Sequence, residues 1–508
     1  MTTALALPLV GALVVALLPK VGDLHKWVAL AFSLVTLGVS AVVGLGFDPH
    51  GARYQFTEDH VWIRVVGAHY AVGVDGIGLA LVLMTAVLTP VVLLASWHDG
   101  ENGRWSSNAF FAQLLAVEGL SIAIFSSMDV FFFYVLFEAI LIPIYFLIGG
   151  YGGPRRAYAA VKFLIYSLLG GLVMLAAVVG LYVASAKTAG GPSYLLTELS
   201  KVPLDATTER WLFVAFFVAF AIKAPMVPVH TWLPDAADEA TPGTSVMLVS
   251  ILDKIGTFGM IRFCLGLFPH ASQWATPVVL VLAVIAVVYG AILAIGVDSI
   301  PRLIAYTSVS HMGFIVLGIF VLNTSGQVGS TLYMVNHAVS TAALFLVTGF
   351  LISRRGSKLV SDFGGAEKVV PVAAGLFLVA GLATLSLPGL SPFVSEFLVL
   401  VGAFVYGWGY ALAAVLGIVL AALYILLMYQ RTMTGPTRPE LTGTKDLNLR
   451  EVVAMAPLVL LLVVLGFYPK PLTDIIKPGV QHVLTDIGAH DPKPYVPVTA
   501  GAEQENNQ

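Results

Sequence analysis

Ionisable side chains sit in the middle of long apolar runs of this sequence. Glu118 lies within 108–127, Glu138 within 130–149 and Lys223 within 210–230. Lys254 falls in 242–267 and Glu396 in 371–408, while His230, His311 and His337 sit in or beside 210–230, 302–323 and 328–352. A charge at the centre of a bilayer costs at least about 2.5–3.5 kcal/mol, so residues of this kind mark ion or proton routes unless they only pair with one another. Pairing needs one acid for each base, and it does not explain lysines in consecutive runs beside histidines. A proton relay does. Burial favours the neutral amine of a lysine and a nearby carboxylate favours the ammonium, so a lysine with a movable carboxylate partner is a switch. Histidine exchanges protons near neutrality and suits intermediate stations. Haem ligation is the competing use, but the three histidines fall in separate runs and no C-x-x-C-H motif is present. Glu118 stands alone in its run and reads as readily as a structural residue.

The elements that must hold these groups are membrane helices. Apolar residues make up 58% of the 508 and charged ones 11%, against about 45–50% and about 25% in a soluble domain. A bilayer core about 30 Å thick needs about 20 apolar residues of helix. Fourteen runs qualify: 2–18, 27–46, 74–97, 108–127, 130–149, 158–185, 210–230, 242–267, 274–296, 302–323, 328–352, 371–408, 409–431 and 451–468. The expected fold is all-α and polytopic, with 371–408 counted as one interrupted helix. The N-terminal run lacks a basic flank and reads as the first span, not as a signal peptide. Lysine and arginine set orientation. With both termini outside, the inner loops carry 14 of them and the outer segments 8. The longest outer loops are then 47–73 and 186–209, and the polar tail 485–508 is expected to be poorly ordered.

Two runs are broken. Pro225 and Pro228 interrupt the seventh, followed by Pro234, and Pro388, Gly389 and Pro392 interrupt the twelfth. Proline removes a backbone donor, and the freed carbonyls must find partners inside the protein. Lys223 stands two residues before one break and Glu396 four residues after Pro392 in the other. Two broken helices five spans apart, each with an adjacent charge, suggest two inverted five-helix repeats. The expected organisation is 1–107 (helices 1–3), 108–268 (first repeat), 269–433 (second repeat), 434–468 (a loop and helix 14) and 469–508 (polar tail). Each repeat would hold one proton half-channel. A net charge of −3 leaves no basic footprint for nucleic acid. Cys264 is the one cysteine and reads as a buried apolar residue. With no G-x-G-x-x-G after a strand, no P-loop and no cysteine cluster, no cofactor or metal is expected on this chain.

Four stretches resemble a known family. Lys223-Ala-Pro-Met-Val-Pro-Val-His230-Thr-Trp-Leu-Pro234-Asp235-Ala, Leu252-Asp-Lys254-Ile-Gly, Leu303-Ile-Ala-Tyr-Thr-Ser-Val-Ser-His311-Met-Gly and Asn336-His337-Ala are similar to the signatures of the antiporter-like membrane subunits of respiratory complex I. The same family includes Mrp-type cation/proton antiporter subunits and membrane subunits of energy-converting hydrogenases, which are the alternative reading. Phe137-Glu138 and Leu387-Pro-Gly-Leu-Ser-Pro-Phe-Val-Ser-Glu396-Phe extend the likeness to spans 5 and 12. Pro301 precedes Arg302 where family members often carry lysine. The resemblance implies a proton-translocating subunit of an NADH:quinone oxidoreductase in a bacterial inner membrane. FMN, iron–sulfur clusters, NADH and quinone would reside on partner subunits, beside sibling antiporter-like subunits of the L and N types. It further implies that Glu138 pairs with Lys223, that Lys254 and the histidines carry the proton laterally, and that Glu396 releases it outside. Glu118 has a weaker counterpart.

Overall fold

The computed structural model describes residues 1–19, 21–101, 103–187 and 191–491. The order begins α1 (Thr2–Leu17), α2 (Leu24–Leu45), strands β1 (Gln55–Ile63) and β2 (Ala68–Val74), α3 (Gly76–Ala95), α4 (Ser107–Ser126), α5 (Val130–Ala139), α6 (Leu141–Tyr151) and α7 (Arg156–Ser185). It continues with α8 (Leu196–Leu199), α9 (Ala206–Lys223), α10 (Trp232–Glu239), α11 (Pro242–Val246), α12 (Asp253–Gly259), α13 (Pro269–Gly296), α14 (Ile300–Phe320) and α15 (Thr324–Arg355). Last come α16 (Pro371–Thr384), α17 (Ser391–Tyr406), α18 (Trp408–Met433), α19 (Leu449–Phe467) and α20 (Lys470–Asp486). Among the described residues, 11 helical rods are long and apolar enough to cross a membrane. The expected runs 2–18, 210–230 and 371–408 fall on α1, on α9, and on α16 with α17.

The rods sort by what surrounds them. The stretch 242–265 is one rod in which α11 and α12 are linked by the π-helical turns Met247–Leu252 and followed by Met260–Leu265. Its apolar window is 100% buried, and those of α14 and α15 are 94% buried, whereas α2 and α19 are 28% buried. The three central rods therefore carry Lys254, His311 and His337 where lipid cannot reach. The outer rods turn plain aliphatic stripes outward, such as Val278, Val281, Ile285 and Ile292 on α13. That is what a helix bathed in lipid requires.

Both expected breaks are present. α9 ends at Lys223 and helix resumes at Trp232, whose indole N–H donates to the Ile222 carbonyl at 2.9 Å across the gap. α16 ends at Thr384 and α17 begins at Ser391, whose carbonyl accepts from the Asn336 amide of α15 at 2.8 Å. Backbone carbonyls beside both breaks thus accept from side-chain donors inside the bundle.

The loop 47–73 is not irregular. β1 and β2 pair antiparallel around a turn closed by Gly67, at φ 66°. The N-terminal ammonium is 2.7 Å from Glu58 on β1. Burial pushes that carboxyl up, but the ammonium and the Thr2 hydroxyl and amide outweigh it and bring it to about 2. The segment 469–508 is not a tail throughout: α20 packs on α3 and α15 through Ile476, Val480, Val483 and Leu484. Its apolar residues recur at helical spacing on one face only, so a search for continuous apolar runs passes over it. Of the stretch 485–508, residues 492–508 lie outside the described residues.

Gly76 opens α3 directly under the backbone of α20, and a Cβ there would overlap the Ile475 carbonyl. Overpacking of this kind costs about 1–3 kcal/mol. Gly76→Ala should therefore loosen α20, read as faster proteolytic cleavage around 470–490 in the membrane-embedded protein with the remainder intact.

Candidate functional site

The central row starts on α12. A lysine ammonium has three protons to donate, and three acceptors surround the Lys254 Nζ. The Val249 carbonyl at 2.8 Å and His337 Nδ1 at 2.6 Å are hydrogen-bonded to it, and Asp253 Oδ1 at 2.9 Å is an ion-pair contact. The Val249 carbonyl is available because the helix widens into π-turns just before Lys254, a local irregularity frequent at functional sites. His337 lies on α15 and meets the His311 ring of α14 edge-on, centroids 5.2 Å apart. Tyr333 is one turn before His337 on the same face of α15, with its ring 5.9 Å from that of His311. The Tyr333 hydroxyl donates to the Glu396 carboxylate of α17 at 2.5 Å. The Tyr424 hydroxyl of α18 closes on His311 Nε2 at 3.5 Å. All of these side chains are at most 4% exposed. Lys254, His337, His311 and Glu396 thus form one buried polar row across the four helices α12, α15, α14 and α17.

Glu138 and Lys223 form a separate unit. Lys223 ends α9 with its Nζ 4.3 Å from the centroid of the Phe137 ring and no hydrogen-bond partner among the described residues. The nearest acid along the chain from that ring is Glu138, the residue after Phe137, and Lys223 and Glu138 make no direct ion pair or hydrogen bond. Gly171 of α7 makes room for the Glu138 carboxylate, which a Cβ there would overlap. The two are near neighbours without a closed ion pair. Pro143 leaves the carbonyl of Ala139 without its helical donor, and a turn at Ile140 divides α5 from α6 two residues after Glu138.

His230 stands apart from the row. It lies in the α9–α10 gap beside the rings of Tyr289 and Tyr306, at 5.6 and 6.5 Å. Below it, α10 is anchored by ion pairs: Asp235 with Lys162 and Arg302 at 2.7 Å each, Asp238 with Lys358 at 3.0 Å, and Glu239 with Lys358 at 3.3 Å. Burial pushes the Asp238 carboxyl up, but the Ser299 hydroxyl, Lys358 and Arg302 outweigh it and hold it below the usual range. A cavity of about 490 Å³ opens here, lined by Asp238, Glu239, Ser245, Thr348 and Lys358, and reaches the foot of α11. Glu118 is fully buried on α4 and neither carboxylate oxygen has a partner among the described residues. It joins neither group.

Sequence reading missed Tyr333, Tyr424 and the roles of Asp253 and Asp75. Tyr333 was open to discovery, since it precedes His337 by four residues and so shares its face. Nothing in the sequence singles out Tyr424. Asp75 pairs with Arg262 at 2.9 Å, both nearly buried, and its other contact caps α3 through the Gly78 amide at 2.8 Å. This is a closed structural pair, in contrast to Glu138 and Lys223. Among the described residues no cluster of His, Cys, Asp and Glu is arranged to hold a metal ion.

Comparison with known proteins places these features in a family. Residues 127–421 match the family model described as NADH:quinone oxidoreductase/Mrp antiporter, transmembrane. The chain is 49% identical to NADH-quinone oxidoreductase subunit M of Mycobacterium tuberculosis, over 96% of this chain and 94% of that one. It is 38% identical to subunit M of Rhodobacter capsulatus, over 95% and 96%. A chain of respiratory complex I from Thermus thermophilus with bound NADH superposes with a TM-score of 0.87 at 30% identity, covering 96% of this chain and 100% of that one. A chain of the Mrp complex from Dietzia sp. DQ12-45-1b shares the fold, with a TM-score of 0.83 at 20% identity over 96% and 99%.

Breaking a buried ion pair from one side leaves an uncompensated charge and costs about 3–5 kcal/mol. Asp75→Ala should therefore lower the thermal midpoint of the membrane-embedded protein, or its amount in membranes. An unchanged midpoint would show that Arg262 has another partner.

Proposed function

The chain belongs to the subunit M family of NADH-quinone oxidoreductases, and from that premise we propose that it moves protons through the bilayer while partner chains oxidise NADH and reduce quinone. The observation that carries this reading is the buried row from Lys254 through His337, His311 and Tyr333 to Glu396, joined by hydrogen bonds at its two ends and by ring contacts in its middle. Every member of the row can accept or donate a proton, and the row is walled off from lipid. FMN, iron–sulfur clusters, NADH and quinone belong to the partner subunits, and this chain sits among sibling antiporter-like subunits of the L and N types in a bacterial inner membrane. Both termini are assigned to the outside by the lysine and arginine bias, with the N-terminus beside the β-hairpin.

The proposed route enters from the inner face. The cavity beside Asp238, Glu239 and Lys358 brings water to the foot of α11, and His230 lies above the α10 anchor as an intermediate station. Glu138 and Lys223 are the switch: because they are close but unpaired, a small shift of either carboxylate or ammonium changes which protonation state is favoured. Lys254 takes the proton into the row, the histidines carry it sideways, and Glu396 releases it outward past the α16–α17 break. Residues 108–268 and 269–433 are the two half-channels, related as inverted five-helix repeats, with 1–107 and 434–468 flanking them. Glu118 has no contact with the route and is a secondary candidate.

The test is proton pumping per electron pair in membrane vesicles, with NADH oxidation by an artificial acceptor recorded in parallel as a measure of assembly. A positioned proton-transfer group contributes about 10²–10⁴-fold. Lys223→Ala and Glu138→Ala should each lower pumping-coupled turnover at least about ten-fold, with artificial-acceptor activity retained. Glu138→Gln, which keeps shape and removes charge, should be nearly as severe. Glu396→Gln should block release while Glu396→Asp keeps part of it. Wild-type pumping by Glu396→Gln would remove this residue from the route.

A further inference from the structure

Between the Glu138–Lys223 pair and the row beginning at Lys254 the route has a gap, and one buried acid stands in it. Asp253 is 0% exposed. On a regular helix, residues one apart point in different directions, yet the Lys254 Nζ reaches back to within 2.9 Å of Asp253 Oδ1. The lysine side chain curls towards the N-terminal end of its helix, as its bond to the Val249 carbonyl also shows. One turn later, Gly256 lies so close to α9 that a Cβ would crowd the Phe220 carbonyl and the Ala224 amide. Its neighbour Thr257 donates to Met334 Sδ of α15 at 2.9 Å. Residues three and four positions on flank a helical side chain. Asp253 therefore faces the seam between the α9 end, where Lys223 sits, and α15, where His337 sits. Neither carboxylate oxygen of Asp253 has a hydrogen-bond partner among the described residues, Oδ1 meeting Lys254 as an ion pair only, and the Lys223 ammonium has none either.

We propose that Asp253 is the proton-carrying link between Lys223 and Lys254. The step balances as follows. Lys254, having passed a proton to His337 Nδ1, is a neutral amine. The Lys223 ammonium gives up one proton through intervening water to the Asp253 carboxylate, leaving a neutral amine and a carboxylic acid. Asp253 passes that proton to Lys254 across the 2.9 Å contact and returns to the carboxylate. No redox change and no other reactant is involved. When Asp253 and Lys254 are both charged they form a neutral unit in the bilayer, so the resting state carries no isolated charge.

This inference rests on the proton route proposed above, and its test is arranged to fail separately. Asp253→Asn keeps an oxygen that can accept from Lys254 but cannot carry a proton, while Asp253→Glu can. In vesicles holding the intact assembly, Asp253→Asn should lower pumping-coupled turnover about ten-fold or more, with Asp253→Glu retaining a clear part of it. Wild-type pumping by Asp253→Asn overturns the link. If Lys254→Ala then also pumps normally, the whole route falls; if Lys254→Ala fails, only the link does. Infrared difference spectra during NADH-driven turnover supply a second readout that a fixed counter-ion would not move. The wild type should show a transient carboxylic C=O band that shifts in Asp253→Glu. Absence of such a band makes Asp253 a static partner and overturns the proposal, even if Asp253→Asn fails to assemble.

Discussion

A charge inside a bilayer needs a partner within a few ångströms, and the way each buried charge is partnered decides whether it can do anything but hold the fold together. Asp75 and Arg262 are fully engaged, and the carboxylate of Asp75 also caps α3. Lys223 and Glu138 are not engaged: they sense one another without contact. Two unit charges 4 Å apart interact by about 4 kcal/mol at an effective dielectric of 20, and at 8 Å by about half that. A movement of a few ångströms therefore changes the favoured protonation state by about 2 kcal/mol, or roughly 30-fold. A closed pair would need far more force to open, and an isolated charge would have nothing to respond to.

The same constraint explains the architecture around the route. Lys254, His311 and His337 lie on the most deeply buried rods, Glu396 faces them from α17, and the lipid-facing helices carry aliphatic stripes. Helix irregularities occur where polar atoms are needed. The π-turns before Lys254 free the Val249 carbonyl for its ammonium. Beside the proline breaks in the α9–α10 and α16–α17 segments, Trp232 and Asn336 donate side-chain hydrogen bonds to the backbone carbonyls of Ile222 and Ser391. Such breaks would be costly against lipid and are tolerated because protein surrounds them.

Much of this was legible from residue types and spacing. Apolar runs located the membrane helices, prolines located both interruptions, and charges within runs named the members of the two polar groups. What could not be read was which of them meet. Lys254 and His337 are 83 positions apart, and only the packing of α12 on α15 brings them together. Tyr424 reaches His311 from a rod whose sequence is otherwise plain. The separation of Glu138 from Lys223 depends on the space left at Gly171, and no pattern in the sequence encodes a distance. The β-hairpin and α20 were missed for a different reason: both are half-polar elements on one face of the molecule, and a search tuned to continuous apolar runs does not register them.

The central claim is that Lys254 changes protonation during turnover and does not merely fill a buried site. Arginine keeps its proton at any accessible pH, so it preserves the charge and cannot relay. The decisive measurement is the number of protons pumped per electron pair by vesicles carrying Lys254→Arg, normalised to assembled protein by NADH oxidation with an artificial acceptor. Loss of pumping with assembly retained is the expected result. Pumping at the wild-type ratio would contradict it and would leave Lys254 as the fixed cation of a structural ion pair with Asp253.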